Sequence, residues 1–254
     1  MNFNRRNFIK TAAINLTVLT SVPVILSAAM PAPGKRKKGS FPIFKKNDVV
    51  LFQGDSITDA GRNKERQLPN TSASFGTGYA LIAASALLNM IPEKNLTIYN
   101  RGISGNKVFN LVDRWQADCI DLKPSLLSIL IGVNDFWSIL KSGYNGTLEK
   151  YQNDYRSLMD LTRKALPDTK LVIGEPFAVA GGTAITDKWY PDFDGYRLFA
   201  KKIASEYNAI FIPYHNIFNE ALKHAPASYW APDGVHPSMA GSSLMAEAWL
   251  TAIS

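Results

Sequence analysis

Cysteine and histidine are scarce in this sequence, and their scarcity limits its chemistry. Cys119 is the only cysteine among 254 residues, so no disulfide can form within the chain. It lies in a helix-like stretch, residues 115–120, which favours a half-buried structural thiol over a nucleophile. One cysteine and three histidines also supply too few ligands for a structural zinc site. We therefore expect neither a metal nor another cofactor.

Acidic residues are missing from the first 46 positions. Nine of the 28 lysines and arginines lie there without one aspartate or glutamate, so the formal charge of +7 belongs largely to this segment. The remainder holds 19 basic and 21 acidic side chains, a balance of −2. A body so close to neutral lacks the basic face of a nucleic-acid binder. The basic run at residues 35–38 could bind anionic lipid or nucleic acid, although its Pro/Gly surroundings favour a solvated linker.

The N-terminal segment resembles an export address. Residues 5–10, Arg-Arg-Asn-Phe-Ile-Lys, match the twin-arginine signal, and residues 11–29 are uncharged and end in small side chains. An uncleaved membrane anchor is the alternative, but polar residues and Pro23 interrupt the apolar stretch. We expect export to the periplasm or the exterior of a bacterium, without stable membrane insertion after signal removal. The predicted division is an export signal at 1–29, a basic Pro/Gly linker at 30–46 and one folded domain at 47–254.

The body alternates between strand-like and helix-like segments. Apolar residues make up 46% of the chain, enough for a sizeable core. Its five continuous apolar runs are typical of strands covered on both faces, and the alternation predicts right-handed crossovers in a parallel sheet. The expected fold is an α/β three-layer sandwich. Strands are predicted at residues 49–53, 96–100, 126–131, 170–174 and 209–213, and helices at 79–90, 108–122, 147–165, 194–207 and 238–252.

Three short clusters lie beyond predicted strands or before the last helix. They are Gly-Asp-Ser at 54–56, Gly-Val-Asn-Asp at 132–135 and Asp-Gly-Val-His at 233–236. In open parallel sheets, ligands bind beyond the carboxyl ends of the strands, so these clusters are expected to meet there. The chain has no Gly-x-Ser-x-Gly, the signature of the α/β-hydrolase nucleophile elbow.

A serine, a histidine and an acid in these clusters could form a nucleophilic site. Ser56 needs a base to take its proton, and Asp233 lies close enough in sequence to orient the imidazole of His236. Taken separately, Ser56 could be a helix N-cap and His236 a surface residue beside a capping aspartate. His215 and His224 lack comparable surroundings and are interpreted as structural or surface residues.

Two further groups could hold a developing oxyanion. The Asn134 side-chain amide follows an apolar strand, and such a donor can contribute about 3–4 kcal/mol to transition-state stabilisation. Gly102 follows the second predicted strand, where its N–H could be another donor, although an ordinary turn glycine is an equal alternative. Asp135 is more simply explained as a cap of the following segment.

Taken together, the clusters resemble the SGNH (GDSL) hydrolases in order and rough spacing, over nearly the whole body. The resemblance implies a flavodoxin-like five-stranded parallel sheet and ester hydrolysis without a metal. It implies a catalytic triad of Ser56, Asp233 and His236. It also implies an oxyanion hole formed by the Ser56 N–H, the Gly102 N–H and the Asn134 side chain.

Longer stretches, such as residues 54–62 and 100–106, resemble bacterial acetylxylan esterases. These serine esterases remove acetyl groups from plant polysaccharide or its oligosaccharides, and some form homo-oligomers. Relatives of this kind are often cytoplasmic, so the expected export leaves the natural substrate open. Candidates for substrate contacts are Asp55, Trp137 and Trp230, with Trp189 and Tyr190 as further rings that could stack on a sugar.

Other functions are compatible with the same residues. A lysophospholipase or thioesterase would use the same triad but needs a long apolar groove, and the sequence has no obvious apolar lid. A non-catalytic glycan-binding protein would explain the aromatic residues, but not the intact Ser, Asp, His and Asn. Hydrolysis of esters of increasing chain length separates these alternatives.

Overall fold

The structure is a computed structural model that describes residues 41–254. The predicted export signal and most of the predicted linker lie outside these residues. In the described part, five parallel strands form one sheet in the order β2-β1-β3-β4-β5. The strands are β1 (Val49–Gly54), β2 (Thr97–Asn100), β3 (Leu126–Leu130), β4 (Lys170–Gly174) and β5 (Ile210–Ile212). The predicted α/β fold with a five-stranded parallel sheet is therefore confirmed.

Helices connect the strands and cover both faces of the sheet. A single turn, α1 (Ser56–Asp59), follows β1 directly. The other helices of the described residues are α2 (Tyr79–Met90), α3 (Val108–Asp118), α4 (Val133–Ser142), α5 (Leu148–Ala165), α6 (Asp192–Glu206), α7 (Tyr214–Ala221), α8 (Ala227–Trp230) and α9 (Met239–Ala252). Helix α2 packs against α9, whereas α3 packs against α5 and α5 against α6.

Local sequence explains most of these elements. All five residues of β3 are buried, as expected for a central strand between two helical layers. Helix α5 is amphipathic and begins at Thr147, whose side chain accepts a hydrogen bond from the Lys150 N–H. Helix α9 is capped in the same way by Ser238, whose side chain accepts a hydrogen bond from the Gly241 N–H.

Four helices of the described residues are absent from the sequence prediction: the single turns α1 and α8, and the longer α4 and α7. Helix α4 begins directly after β3, at Val133, so Asn134 lies in a first helical turn and not in a loop. Helix α7 follows β5 after Pro213. Helices α4 and α7 are short, with ten and eight residues, and a short apolar segment next to a strand is easily interpreted as part of a loop.

The core extends further towards the N-terminus than predicted. Phe41 and Phe44 are buried to 6% and 2% exposure and belong to the same apolar cluster as the sheet. The folded unit therefore begins before residue 47, because these two rings pack against it. None of the helices within residues 41–254 has the length and apolarity that a membrane span requires.

Candidate active site

Ser56 lies just beyond the carboxyl end of β1. The last residue of that strand, Gly54, occupies a position where only glycine fits. A Cβ on Gly54 would lie 2.3 Å from the Leu130 carbonyl oxygen and 2.5 Å from Thr58 Oγ1, and its φ is +157°. The chain therefore turns sharply, and Asp55 caps α1 by accepting a hydrogen bond from the Ile57 N–H at 3.0 Å. Ser56 becomes the first residue of this helical turn.

His236 joins Ser56 from the other end of the chain. Its Nε2 lies 2.8 Å from Ser56 Oγ, and its Nδ1 lies 2.6 Å from Asp233 Oδ2. A carboxylate only accepts hydrogen bonds, so Nδ1 carries the proton and Nε2 of the neutral imidazole accepts from the serine hydroxyl. The structure thus brings together the three residues predicted as a triad, in the order serine, histidine, aspartate.

Asp233 is fixed by the backbone that carries His236. Its Oδ1 accepts hydrogen bonds from the N–H groups of Val235 and His236, at 2.8 and 2.7 Å. Burial acts to raise the pKa of Asp233, but these bonds and that from the imidazole prevail and lower it to about 2. The carboxylate is therefore ionised at any ordinary pH. Its hydrogen bond in turn raises the pKa of His236 above the usual value, against the opposing effect of burial.

Asn134 faces the loop that follows β2. Its Nδ2 donates to the Asn106 carbonyl oxygen at 3.2 Å, which leaves a second N–H on the same nitrogen. On its other side the same loop is tied to α1, because Asp59 Oδ2 accepts from the Ser104 N–H at 2.8 Å and from its hydroxyl at 2.7 Å. Gly105 therefore lies between Ser104, which is bonded to Asp59 of α1, and Asn106, which is bonded to Asn134.

The geometry at Gly102 contradicts its predicted place in an oxyanion hole. Its N–H donates to Asn100 Oδ1 at 2.9 Å, and the residue is packed against the backbone of Thr58 and Asp59. Gly105 has the properties predicted for Gly102: it is exposed, its φ is +81°, and within residues 41–254 its N–H has no hydrogen-bond partner. The Ser56 N–H likewise has no partner within that range. The stretch Asn100–Asn106 contains both glycines, and sequence alone did not distinguish them.

A small pocket of about 230 Å³ opens beside Ser56 and His236. Its walls carry small or apolar side chains and one glycine: Ile57, Ala60, Thr77, Gly78, Pro237 and Met239. A larger depression, about 720 Å³, lies at the opposite edge of the sheet, around Lys170 and Asn208, and contains none of the residues named above. Only the smaller pocket lies at the carboxyl ends of the strands, where ligands of such sheets bind.

The predicted substrate contacts differ in where the structure places them. The Trp137 ring lies 6.1 Å from the His236 ring, centroid to centroid, and is partly exposed. Trp230 instead donates its indole N–H to the Ala221 and Ala225 carbonyl oxygens, and it lines a groove elsewhere, with Ile217 and Leu244. Its predicted contact with substrate is wrong for this geometry, because its ring faces a different surface.

Two other candidates, Trp189 and Tyr190, make hydrogen bonds to backbone carbonyl oxygens. Trp189 is 1% exposed and donates its indole N–H to the Ala184 carbonyl oxygen, so it packs and does not present a free ring. The Tyr190 hydroxyl donates to the Ala178 carbonyl oxygen. Asp55 is also 1% exposed, so its carboxylate cannot contact a bound substrate directly. These packing roles were not distinguishable in the sequence.

Buried carboxyl groups surround the nucleophile turn. Burial raises the pKa of Asp55 and of Asp135 to about 7 each, although hydrogen bonds from backbone N–H groups oppose this. Asp135 accepts from the Val108 N–H with both oxygens, so it anchors α3 and not the segment that follows it. Burial raises the pKa of Cys119, which is fully buried, and lowers that of His215 to about 4.

Metal binding has no evident site in this part of the chain. Among residues 41–254, no three His, Cys, Asp or Glu side chains are grouped so that they could hold a metal ion. The arrangement that remains is a hydroxyl, an imidazole, a carboxylate and three N–H donors. Such a set can attack a carbonyl carbon and hold the oxyanion that results.

Comparisons with known proteins point to one family. Residues 52–244 match the model of the GDSL-like lipase/acylhydrolase family. An acetylxylan esterase of Geobacillus stearothermophilus is 36% identical over 211 residues, which are 81% of this chain and 94% of that protein.

Solved structures agree with this match. A protein of Parabacteroides merdae described as a GDSL-like lipase superposes with a TM-score of 0.81 at 51% identity, covering 83% of this chain and 97% of the other. The Geobacillus acetylxylan esterase superposes with a TM-score of 0.75 at 34% identity, covering 83% and 96%. Variants of that esterase in which a serine, an aspartate or a histidine is replaced by alanine are described as catalytic mutants.

Proposed function

This chain belongs to the GDSL-like lipase/acylhydrolase family and is a carboxylic ester hydrolase, and from this premise we propose that it removes acetyl groups from xylan-derived saccharides. The observation that carries the proposal is the continuous hydrogen-bond chain from Ser56 Oγ through His236 to Asp233. The likeness to an acetylxylan esterase over most of the chain supports acetylated carbohydrate as the substrate class.

In the proposed mechanism, the neutral imidazole of His236 takes the Ser56 proton as the oxygen attacks the ester carbonyl. Asp233 holds the imidazole in the required tautomer and stabilises the imidazolium that forms. The imidazolium then protonates the departing sugar oxygen, so an alcohol leaves and an acetyl group remains on Ser56. Water that His236 deprotonates releases acetate in a second step and restores the serine.

We assign the oxyanion to three donors. They are the Asn134 side chain and the N–H groups of Ser56 and Gly105, the glycine replacing Gly102 for the reasons given above. The ties from Ser104 to Asp59 and from Asn106 to Asn134 support this choice, since they hold Gly105 between the two other donors. Donors fixed before the reaction stabilise developing charge without reorganisation.

The small pocket favours a short acyl group. Its volume of about 230 Å³ leaves little room for a long acyl chain, which a lysophospholipase or thioesterase would require. The acetyl methyl would contact Ala60 and Gly78, while the leaving sugar would lie towards His236 and Trp137, because it must receive the proton from the imidazole.

Hydrolysis of aryl esters with acyl chains from acetyl to decanoyl tests the proposal. We expect the acetyl ester to be hydrolysed fastest and the Ser56→Ala variant to lose activity with every ester. A maximum at long chains would support a lipid-directed esterase instead. Absence of hydrolysis with every ester would favour a glycan-binding protein. Release of acetate from acetylated xylooligosaccharides, measured next, tests the carbohydrate part.

We also propose that residues 1–29 direct export of the enzyme to the periplasm or beyond. The paired arginines and the uncharged stretch after them support this. Replacing Arg5 and Arg6 together by lysine keeps the charge but removes the pair. We expect the enzyme then to stay with the cytoplasmic fraction of the cells. Unchanged fractionation would contradict the twin-arginine route.

A further inference from the structure

One face of helix α4 extends from the proposed oxyanion donor to the protein surface. Asn134, Trp137 and Lys141 are spaced three and four residues apart, so their side chains lie along the same side of the helix. With a rise of 1.5 Å per residue, Lys141 lies about 10 Å along the axis from Asn134. An amide donor, an aromatic ring and an ammonium group thus follow one another in a line.

Trp137 is the central member of this line. Its ring centroid lies 6.1 Å from that of His236 and 5.9 Å from that of Trp189. The leaving alcohol takes its proton from His236, so a leaving sugar must lie beside this imidazole and within reach of the partly exposed Trp137 face. Whatever the sugar carries at its far side points towards Lys141.

Lys141 has no carboxylate partner of its own within residues 41–254. Its Nζ lies 5.0 Å from the centroid of the Trp137 ring, and the side chain is exposed. The lysines of this range that do have a carboxylate within salt-bridge distance are Lys64, Lys150, Lys202 and Lys223. The Lys141 charge also acts to lower the pKa of His236, so it lies close enough to influence the catalytic base.

A second unpaired ammonium group approaches from α3. Lys107 directly follows Asn106, whose carbonyl oxygen binds Asn134, and its Nζ lies 4.7 Å from the centroid of the Tyr144 ring. Tyr144 comes immediately after the last turn of α4, so Lys107 lies on the same side of the site as Lys141. Like Lys141, it has no carboxylate within salt-bridge distance in the described part of the chain.

These two lysines form a local excess of positive charge on a body with a balance of −2. Four carboxyl groups lie near this side of the site. Asp55 and Asp135 are buried and have raised pKa values, so they compensate the lysines poorly. Asp233 is bound to His236, and Asp154 is paired with Lys150. Each ammonium lies over an aromatic ring, which holds it in place while leaving its hydrogen-bond donors free. A neutral sugar would use the ring but not the charge.

We propose that this enzyme prefers esters of acidic saccharides, with the carboxylate of a uronic acid unit bound by Lys141 and assisted by Lys107. The proposal rests on the proposed function as a carbohydrate esterase and adds to it the charge of the leaving group. The acetyl group occupies the pocket beside Ser56, the esterified sugar contacts Trp137, and the carboxylate of that sugar or its neighbour binds the ammonium groups.

The experiment compares acetylated xylooligosaccharides with and without a glucuronic acid substituent, at low and high ionic strength. For the unmodified chain we expect kcat/KM to be several-fold higher with the acidic substrate, and the difference to shrink in high salt because exposed charges are screened. Lys141→Met should lower the ratio of acidic to neutral kcat/KM by about threefold to fivefold, as expected for one exposed ion pair. Lys141→Arg should retain the ratio, and Lys164→Met, on an exposed turn of α5, should leave it unchanged.

The ratio isolates binding from catalysis. Loss of the Lys141 charge alters the pKa of His236 for both substrates alike, so this effect cancels. Equal kcat/KM for the two saccharides, or an equal loss on both in Lys141→Met, would overturn the inference while leaving the proposed function intact. If phenyl acetate is hydrolysed but neither saccharide is, the carbohydrate assignment fails, and this inference fails with it.

Discussion

At the scale of single residues, the site depends on which hydrogen-bonding groups are occupied and which are free. One carboxylate oxygen of Asp233 accepts from the His236 backbone N–H, and the other accepts from the His236 imidazole, so the ring is held in one orientation. Asn134 uses one amide hydrogen on Asn106 and keeps the other. The Gly102 N–H donates to Asn100 Oδ1, whereas the Gly105 N–H has no partner in the described residues.

The acidic limb of the pH–activity profile should report His236. The base must be neutral to accept the serine proton, and Asp233 raises its pKa, so kcat/KM should fall as the pH drops through a value above the usual 6.5. Asp233→Asn removes the charge, so the limb should move to lower pH while kcat falls on the order of 10³–10⁴-fold. Measuring kcat/KM for phenyl acetate from about pH 4 to about pH 9 tests both expectations, because this range spans the usual pKa of histidine.

Asp113→Asn serves as the control for that profile, because Asp113 is an exposed carboxylate on α3. It should leave both the limb and kcat where they are. An acidic limb that stays in place in Asp233→Asn would show that another group controls the profile.

Loss of the Asn134 amide should affect the chemical step. Asn134→Ala is expected to lower kcat about 10²–10³-fold with little change in KM, because the donor acts on charge that develops only in the transition state. Asn134→Asp, nearly identical in shape, should be at least as impaired because it replaces a donor with an acceptor. Steady-state kinetics on an acetyl ester measure both. An Asp variant close to the unmodified enzyme would contradict the role.

At the scale of elements, the loop between β2 and α3 is held from behind by two arginines. Arg62 Nε donates to the Gly102 carbonyl oxygen at 2.7 Å. Arg114 donates to the Arg101 carbonyl oxygen and to Asn106 Oδ1, each at 2.9 Å. Since α1 and α4 hold the front of the same loop, its conformation is fixed from both sides. The Gly105 donor is therefore held in place although it lies on a loop.

The close packing of Gly102 against α1 can be tested by substitution. A Cβ on Gly102 would lie 2.5 Å from the Asp59 nitrogen and 2.8 Å from the Thr58 carbonyl carbon, both backbone atoms of α1. Gly102→Ala should therefore displace α1 and Ser56, with a loss of about 1–3 kcal/mol in the free energy of unfolding and a reduced kcat. Urea unfolding and kinetics measure the two effects.

Gly61→Ala separates this clash from the general effect of replacing a glycine near α1. Its φ is +77°, but a Cβ there would meet nothing within 4 Å. It should cost about 1–2 kcal/mol through backbone strain and leave kcat nearly unchanged. Equal losses of kcat in both variants would mean that the packing of Gly102 has no special effect on the nucleophile turn.

At the scale of the whole molecule, one core connects all five strands and the segment that precedes them. Trp115 and Trp249 are buried in separate helix pairings, bonded to Thr162 and to Ser128 respectively. Phe41 and Phe44 extend the same core towards the N-terminus. The homo-oligomer that the resemblance implies stays a prediction, for which light scattering on the purified enzyme is the measurement.

Truncation should locate the true start of the folded unit. A chain that begins at residue 47 loses the buried rings of Phe41 and Phe44, and removing a buried aromatic ring costs about 3–5 kcal/mol. It should melt roughly 6–12 °C or more below a chain that begins at residue 41. Thermal unfolding of the two truncated chains compares them directly. Equal melting temperatures would place the start of the fold at residue 47.

The sequence by itself determined the strands and the order of the reactive clusters. Short apolar runs bounded by Gly, Pro and polar residues are local signals, and β4 was predicted at its observed bounds. Ser56, Asp233 and His236 were predicted together because the carboxyl ends of parallel strands meet at one edge. Helix α2 was likewise predicted at its observed bounds, because it is long and regular.

Only the tertiary structure decided which donors and rings are free. Gly102 and Gly105 both lie within five positions of Asn100 and Asn106 in sequence, but Gly102 is buried against α1 whereas Gly105 is exposed. Trp137 reaches His236, whereas Trp189 and Trp230 are committed to carbonyl oxygens elsewhere. These differences arise from contacts between segments far apart in the chain, and no local pattern of residues encodes them.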